Sequence, residues 1–324
     1  MLNEPRFPKL AQQRMTVQLR DLTICYGDFV AVNGVSTVFP AGAVGLLGRN
    51  GAGKSSILKS LLGLVQPTAG SMQILDLPVG VRPAEIRRVV GYMPERESHI
   101  PRLNGFETVK LAAELTGLPS LTASRRAHEV LYFVGLDEQR YRPVVSYSTG
   151  MKQKVKLAVA LVHDPQVLFL DEPTNGLDPA GRRDMLGLIT DLVERFGKSI
   201  ILSSHILTDV EKVCEHIVLL ESGAVLAAGS VKELTRHDTR RYHLSLGGDD
   251  AALESALAAF SGHEVSLEGA GRFEITVSDD TSTDQIFKAV QGAGGVVREL
   301  REHHRSLEEV FLVAVEGAGE GGGA

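Results

Sequence analysis

The chain has 324 residues, a formal net charge of −6 and two cysteines, Cys25 and Cys214. That length favours two domains, and the negative charge gives no basic field of the kind that attracts nucleic acid. Two cysteines cannot form the disulfide framework of a small secreted protein, so we expect reduced thiols in the cytosol. No apolar run approaches the ~18 residues of a membrane span. We therefore expect a soluble chain with no direct membrane span and no nucleic-acid partner.

The first predicted elements are two strands. Residues 1–14 lack periodicity and are expected to be a disordered lead-in, whereas from Met15 apolar residues alternate up to a turn at Tyr26 and Gly27. Residues 31–39 predict the second strand. Tyr26 has two interpretations that the sequence does not separate: its ring stacks on an adenine, or it plugs the edge of the sheet.

A phosphate-binding pattern follows the apolar residues 44–47. Its residues are Gly48, Arg49, Asn50, Gly51, Ala52, Gly53, Lys54 and Ser55. Helical spacing begins at Ile57, so the pattern lies in a loop between a strand and a helix. The alternative is a Gly-rich turn that ends in Lys-Ser by chance, and such a turn would not need this context. Backbone N–H groups of such a loop surround phosphate oxygens. We expect Lys54 to reach the β- and γ-phosphates and Ser55 to bind Mg²⁺, with Ser56 among the nucleotide contacts.

The chain between the phosphate loop and Glu95 predicts two short strands, residues 71–75 and 88–93. From Asn104 to about Leu136 the apolar spacing becomes helical, beginning with a capping pattern of Asn104 and Glu107. These features predict a helical insertion within an α/β domain. A further apolar helix is predicted over residues 155–162.

Acidic residues follow a second buried strand. Residues 167–170 are continuously apolar, as in a strand buried on both faces, and Asp171 and Glu172 come next. The first acid can hold Mg²⁺, usually through water, and the second can polarise an attacking water; alternatively, the pair merely ends the strand. His205 follows another buried strand and is either structural or close to the γ-phosphate, because ligands bind at the carboxyl ends of parallel strands.

The pattern changes again near Thr235. Alternating and helical segments follow in the order β-α-β-β-α-β, with Leu253, Leu257 and Phe260 in the first helix. This order suggests a small ferredoxin-like α+β accessory domain over residues 235–316. A closing helix is predicted over residues 306–314, and residues 317–324 are expected to be a disordered Gly-rich tail.

These motifs together resemble the ATP-binding subunit of ATP-binding-cassette (ABC) transporters over residues 15–234. Gly48–Ser55 resembles the Walker A loop and Val167–Glu172 the Walker B strand, and Tyr26 matches the adenine-stacking position. The segment from Asn175 to Asp178 resembles the loop that couples two subunits, and His205 the switch histidine. The expected fold is therefore an α/β P-loop NTPase core of the ABC ATPase type, with a helical subdomain at about residues 95–160, plus the ferredoxin-like domain.

Two departures from the family pattern concern candidate site residues. Residues 147–151 align with the signature Leu-Ser-Gly-Gly-Gln but keep only Ser148 and Gly150, a variant similar to the branch that exports drugs, antibiotics and polysaccharides. Ser148 is still expected to donate to a γ-phosphate, and Gly150 to allow close backbone approach. Glu95 stands where the family usually has a glutamine that contacts Mg²⁺ and water, and a carboxylate can also coordinate Mg²⁺.

The resemblance implies a Mg²⁺-dependent ATPase. Its catalytic residues would be Lys54, Glu172 and His205, and its Mg²⁺ ligands Ser55, Asp171 and Glu95. The signature of one subunit closes on the ATP of the other, so the active form would be a homodimer or a heterodimer with a related ATPase, with Asp178 near the shared nucleotide.

The resemblance also implies a separate membrane-spanning permease. The chain would lie on the cytoplasmic face of the cell membrane and power export through that partner. Residues 103–118 are expected to form part of the docking surface, unless they are an ordinary amphipathic helix on their own core. A soluble, non-transport ABC ATPase acting on a macromolecule is the alternative function, and a nucleotide sensor without turnover is a third. The sequence contains neither a heptad run nor a basic block that would favour a soluble, non-transport ATPase.

Overall fold

The computed structural model has two compact units, Met1–Val231 with Phe311–Ala324, and Lys232–Val310. The residues that it describes are 15–96, 100–235, 240–247, 264–269, 272–277, 283–292, 294–303 and 306–320. None of the helices within these ranges combines the length and apolar character that a bilayer crossing requires.

The first unit contains two sheets. Their strands are β1 (Met15–Tyr26), β2 (Phe29–Pro40), β3 (Ala43–Leu47), β4 (Ala69–Ile74), β5 (Leu77–Pro78), β6 (Val90–Met93), β7 (Val167–Asp171), β8 (Ser199–Ser204), β9 (His216–Glu221) and β10 (Ala224–Ser230). One sheet is antiparallel in the order β2-β1-β4-β5, and the other has the order β10-β9-β3-β8-β7-β6. In the second sheet β9 to β6 are parallel and β10 is an antiparallel edge. The predicted α/β class is confirmed.

Helices connect these strands. They are α1 (Lys54–Leu61), α2 (Pro83–Val89), α3 (Gly105–Leu115), α4 (Ser120–Phe133), α5 (Thr149–Leu161), α6 (Pro179–Glu194), α7 (Leu207–Val213) and α8 (Val231–Leu234). The predicted capping box begins α3: the Glu107 N–H donates to Asn104 Oδ1 at 2.8 Å, and the Asn104 N–H donates to Glu107 Oε2 at 2.9 Å. Two N–H groups that a helix start leaves without partners are thereby satisfied. α3, α4 and α5 pack on one another as the predicted helical insertion.

The central parallel strands bring three chain segments to one edge of the sheet. β3 and β7 are buried at every position, as continuous apolar runs are when helices cover both faces of a sheet. Leu47 pairs with Ser204, and Asp171 pairs with Ser203. The carboxyl ends of β3, β8 and β7 therefore lie side by side, where the phosphate loop, His205 and Glu172 leave the sheet.

A buried apolar cluster holds α1 against the sheets. It includes Phe39, Ile57, Leu58, Leu61 and Phe169, each with no exposed surface. Complete burial of such a side chain contributes about 1.5–3 kcal/mol. The helix that follows the phosphate loop is thus fixed by its own packing.

Two predicted boundaries in the first unit are wrong. Arg88 and Val89, predicted as strand, are the last residues of α2, which has Pro83 at its start; proline favours the first turn of a helix. Helix α5 begins at Thr149, six residues before the predicted start. Ser148 allows this start because its Oγ accepts from the Met151 N–H at 3.3 Å, which is the role of an N-cap.

The second unit is an antiparallel sheet with a helix on it. Its strands are β11 (Arg240–Gly247), β12 (Glu264–Gly269), β13 (Arg272–Val277) and β14 (Val296–His303), in the order β12-β13-β11-β14. Helix α9 (Thr283–Gly292) contributes Ile286 to a core that includes Tyr242, Leu244 and Ile275. The predicted ferredoxin-like fold is confirmed. The helix predicted at Leu253, Leu257 and Phe260 lies outside the described residues.

The last helix, α10 (Leu307–Glu320), is longer than predicted. It includes residues 317–320, which were predicted as part of the disordered tail. Once a helix has formed, each further residue adds a hydrogen bond, so the helix can continue through Gly317 and Gly319 despite their low helix propensity. The predicted lead-in, residues 1–14, and residues 321–324 lie outside the described part of the chain.

Candidate functional site

The loop between β3 and α1 surrounds the ammonium group of Lys54. Lys54 Nζ donates to the Gly48 carbonyl at 2.6 Å and to the Arg49 carbonyl at 3.2 Å. Gly53 has φ +103°, and a Cβ there would lie 2.6 Å from the Ala31 carbonyl oxygen, so the backbone path requires glycine. A buried ammonium group within a tight turn before a helix fits the phosphates of a nucleotide.

Acidic groups set the electrostatics around Lys54, which is only 6% exposed. Burial lowers the pKa of Lys54, and the charges of Glu172, Asp171 and Glu95 oppose that shift. Lys54 Nζ lies 3.8 Å from Glu172 Oε1. Three acids against one lysine leave an excess of negative charge, which a divalent cation can neutralise.

Asp171 collects hydroxyl groups from three elements. Its Oδ1 accepts from Ser203 Oγ and, at 3.3 Å, from Ser55 Oγ, and its Oδ2 accepts from the Tyr92 hydroxyl at 3.4 Å. Burial and the charge of Asp171 raise the pKa of Tyr92, which therefore remains a proton donor. Among the described residues there is no group of three or more His, Cys, Asp or Glu side chains that could hold a metal ion. A serine hydroxyl beside one carboxylate fits a Mg²⁺ ion whose other ligands are water and substrate phosphates.

Glu172 has a strained backbone and a carboxylate between two nitrogen groups. Its φ is +51°, in the left-handed region that non-glycine residues rarely adopt, and its N–H donates to the Ser203 carbonyl at 3.1 Å. Its Oε2 lies 2.9 Å from His205 Nδ1, opposite the contact with Lys54. A residue that merely ended a strand would not need to hold its carboxylate between Lys54 and His205. The arrangement can hold and activate a water molecule.

Glu95 lies on an exposed loop after β6. Its Oε1 accepts from Asn175 Nδ2 at 3.4 Å, and in the described residues its carboxylate does not bond to Ser55 or Asp171. It is near enough that its charge raises the pKa values of both Lys54 and Tyr92. The structure therefore places Glu95 close to the candidate Mg²⁺ site, and its role as a Mg²⁺ ligand stays a prediction.

The signature residues stand at a second place in the first unit. Ser148 is exposed, and a Cβ on Gly150 would meet nothing closer than Leu177 Cδ2 at 3.8 Å. Glycine in a helix costs about 0.5–1 kcal/mol relative to alanine, and packing within the chain does not require it here. Both residues line a cavity with Asp178 whose described lining includes none of the phosphate loop.

The remaining candidates form the rim of the phosphate loop or cap a helix. Arg49, Asn50 and Gly51 are exposed, and Ala52 is buried. Asp178 caps α6, since its Oδ1 accepts from the Gly181 N–H at 2.8 Å.

Tyr26 is 46% exposed, and its hydroxyl donates to Ser56 Oγ at 3.3 Å. A half-exposed ring can cover part of the sheet edge and still leave a free face on which a base could stack, so both interpretations stay predictions.

Several residues near the site gave no signal in the sequence. Asp209 is 1% exposed, and its Oδ2 accepts from Thr174 Oγ1 at 2.8 Å and lies 3.7 Å from Arg182 Nε. Neither the spacing of Asp209 from His205 nor its type distinguishes it from a solvated helix residue. Ser203 could have been found, because aligning the ends of two buried parallel strands places it opposite Asp171.

Comparison with known families matches both units. The family profile described as "ABC transporter" matches residues 32–175. The profile described as "ATP-binding protein DrrA1-3-like, C-terminal domain" matches residues 229–315.

Curated relatives align over most of the chain. An uncharacterized ABC transporter ATP-binding protein of Nostoc sp. is 36% identical over 89% of this chain and 84% of its own length. The Nod factor export ATP-binding protein I of Burkholderia orbicola is 34% identical over 91% of this chain and 95% of its own. The bacitracin transport ATP-binding protein BcrA of Enterococcus faecalis is 29% identical over 94% and 97%.

Solved structures agree with these relatives. The ATP-binding subunit of an ABC transporter superposes with a TM-score of 0.62 and 32% identity, covering 68% of this chain and 92% of that one. A dimeric ATP-binding cassette in a post-hydrolysis state, bound to ADP and Pi, superposes with a TM-score of 0.61 and 25% identity, over 66% and 98%. The predicted resemblance is confirmed: the chain belongs to the ATP-binding, ATP-hydrolysing subunits of ABC transporters, in the exporter-type branch.

Proposed function

We propose that this chain binds Mg²⁺-ATP at the phosphate loop, dimerises around it and powers export through a separate membrane-spanning partner. The observation that carries the proposal is the meeting of Lys54, Asp171 and Glu172 at one sheet edge. Lys54 Nζ lies 3.8 Å from Glu172 Oε1, and Ser55 Oγ lies 3.3 Å from Asp171 Oδ1. Residues 15–234 would be the nucleotide-binding domain and residues 235–316 the accessory domain, which the profile match from residue 229 supports.

Each of these side chains has a distinct task in hydrolysis. Lys54 exchanges its backbone carbonyl partners for the β- and γ-phosphate oxygens. Ser55 and Asp171 would hold Mg²⁺, directly or through water, and the ion would supply charge that stabilises the phosphates. Glu172 accepts the proton of the attacking water. His205, whose Nδ1 lies 2.9 Å from Glu172 Oε2, keeps that carboxylate oriented.

Dimerisation is proposed because the signature end of α5 faces solvent. Ser148 is exposed and Gly150 leaves room for an approaching oxygen, yet the cavity that they line includes no described residue of the phosphate loop. A nucleotide carried by a second copy, or by a related subunit, would complete both sites. The superposable cassette with ADP and Pi was solved as a dimer, which supports this arrangement.

A permease partner is proposed from the relatives that are named for Nod factor export and bacitracin transport. The chain would then act on the cytoplasmic face of the membrane. On α3, Val109 and Ala113 are buried and belong to the core of the chain, whereas Leu115 is 80% exposed and Ile100, before the helix, is 48% exposed. Leu115, together with Ile100 just before the segment, would offer apolar surface for docking of residues 103–118 in addition to their own packed side.

The test compares a variant that should trap the ATP-bound dimer with a variant that should no longer bind ATP. A Glu172→Gln chain with ATP and Mg²⁺ should double its mass in light scattering, and a Glu172→Gln/Lys54→Ala chain should stay monomeric. Affinity capture of the Glu172→Gln chain from detergent-solubilised membranes should retain a multi-helix protein. A trapped chain that binds ATP but stays monomeric at all concentrations, and that captures no related ATPase subunit from the membranes, would refute the proposed motor.

A further inference from the structure

Helix α5 carries two buried polar side chains that hold loops of the phosphate site. Lys156 is 8% exposed and Gln153 is 5% exposed, one turn apart on the helix. Lys156 Nζ donates to the Pro94 carbonyl at 2.7 Å and to the Glu95 carbonyl at 2.8 Å. Gln153 Nε2 donates to the Asn175 carbonyl at 3.1 Å. One face of α5 therefore binds the backbones of two different loops.

The two loops are also bonded to each other. Asn175 Nδ2 donates to Glu95 Oε1 at 3.4 Å, and the Asn175 N–H donates to the Glu172 carbonyl at 3.1 Å. The contacts close a ring that runs from Lys156 to Glu95, Asn175 and Gln153 and back along one turn of α5. All four residues line one cavity of about 220 Å³. The ring thus fixes Glu95 relative to the segment that begins at Glu172.

The ammonium group of Lys156 is better explained by the loop than by packing. Burying a charge is unfavourable unless polar groups compensate it, and an apolar side chain would occupy this volume without that cost. The compensating groups include the carbonyls of Pro94 and Glu95, so the lysine binds this loop in particular. Glu95 is electrostatically part of the phosphate site, because its charge raises the pKa of Lys54.

The same helix reaches the signature. Ser148, the N-cap of α5, precedes Lys156 by eight residues, about 12 Å along the axis. We propose that Lys156 is a positioning residue that ties the Glu95 loop to α5, so that nucleotide docking at Ser148 shifts Glu95 at the phosphate site of the same chain. This inference rests on the proposed function, since a second subunit must bring the nucleotide to Ser148. Differential contacts in the open and closed states would then couple the two ATP sites.

The first test measures the loop directly, in the full nucleotide-free chain, by backbone hydrogen–deuterium exchange. Lys156→Met keeps the length of the side chain but removes its charge. Amide exchange at residues 92–96 should become about tenfold faster in this variant, because the loop opens more readily once the lysine no longer holds it. Lys156→Arg should restore it to within about threefold of the unmodified chain. The matched control is Lys198→Met, because Lys198 is also shielded and has its Nζ 2.7 Å from Asp164 Oδ1. Loop exchange in Lys156→Met equal to that in Lys198→Met would overturn the proposal.

The second test asks whether Lys156 acts through Glu95. Lys156→Met should raise the Mg²⁺ concentration for half-maximal turnover about threefold, and in a Glu95→Ala background it should add less than about 1.5-fold, as expected for coupled residues. Additive effects would overturn the proposal. An unmodified chain without turnover would refute the proposed function instead, and the exchange measurement would still decide whether Lys156 positions Glu95.

Discussion

The phosphate edge of the sheet and the signature end of α5 differ in how much of each is completed within one chain. At the phosphate edge Lys54, Asp171 and Glu172 are all nearly buried, and each is hydrogen-bonded or ion-paired to another group of the same chain. At the signature end Ser148 is exposed, and its Oγ bond among the described residues is local, to the first turn of its own helix. Buried charges must find partners in the same chain, whereas an exposed cap can await a ligand from outside.

The largest effect is expected at the phosphate edge of the sheet, which is completed within one chain. Glu172→Gln should lower ATP turnover by at least about 100-fold, because an amide cannot accept the proton of water. ATP affinity should stay within about threefold, since the substitution preserves shape and leaves Lys54 in place. Phosphate release and equilibrium nucleotide binding measure the two effects. Glu129→Gln, at an exposed ion pair on α4, is the control for loss of a carboxylate, and turnover within fivefold of the control would remove Glu172 from the role of base.

The second largest effect is expected at the signature end of α5, which is not completed within one chain. Ser148→Ala should lower turnover by about 10–100-fold, the value of one hydrogen bond to a charged phosphate, without changing ATP affinity of the monomer. It should also cost about 1 kcal/mol of stability, because an N-cap is lost.

The control for Ser148→Ala is Ser306→Ala in the second unit, where Ser306 Oγ accepts from the Glu309 N–H at 3.2 Å. It removes a cap of the same kind from a helix outside the nucleotide site. Equal turnover of the two variants would mean that Ser148 serves only its helix.

The same contrast explains what the sequence could predict. Asp171 and Glu172 lie at the end of one continuous apolar strand, and Lys54 follows the loop after another. Parallel strands bring their carboxyl ends together, so the meeting of these residues followed from pattern alone. The loop glycines are also determined locally, as the backbone of Gly53 shows. The pattern predicted that these charged residues meet at one edge, but not that Ser203 and Tyr92 bond to Asp171 there.

What the sequence could not predict depends on tertiary contacts. Lys156 is a helix residue whose partners lie about 60 residues away in the chain, at Pro94 and Glu95, and no local pattern distinguishes it from a solvated lysine. The start of α5 was also misjudged, because glycine in its first turn lowers helix propensity while the Ser148 cap favours helix. Arg88 and Val89 were misassigned because Val89 and Val90 form a β-branched pair that favours a strand, whereas the helix ends only at Val89.

A smaller effect concerns the base of the nucleotide. Tyr26→Ala should weaken ATP binding about tenfold, since stacking of a base on an aromatic ring contributes about 1–3 kcal/mol. Tyr26→Phe should bind ATP as the unmodified chain does, and neither variant should melt much lower, because the ring is 46% exposed. If Phe binds as weakly as Ala, the hydroxyl contact with Ser56 matters and the ring does not.

The smallest effect is expected at Glu95, whose loop is bonded to α5 and whose charge acts on the phosphate edge. Glu95→Gln keeps an oxygen that can accept from Asn175, so the ring of contacts with α5 should persist, and only the charge is lost. Because Glu95 is one of three acids that oppose the burial-driven lowering of the Lys54 pKa, that pKa should fall further, and the site should attract a divalent cation less strongly. The Mg²⁺ concentration for half-maximal turnover should therefore rise about threefold, which corresponds to less than one pKa unit of interaction. A shift in the opposite direction would show that the carboxylate hinders Mg²⁺ binding, and that Glu95 serves as an anchor between α5 and Asn175 instead.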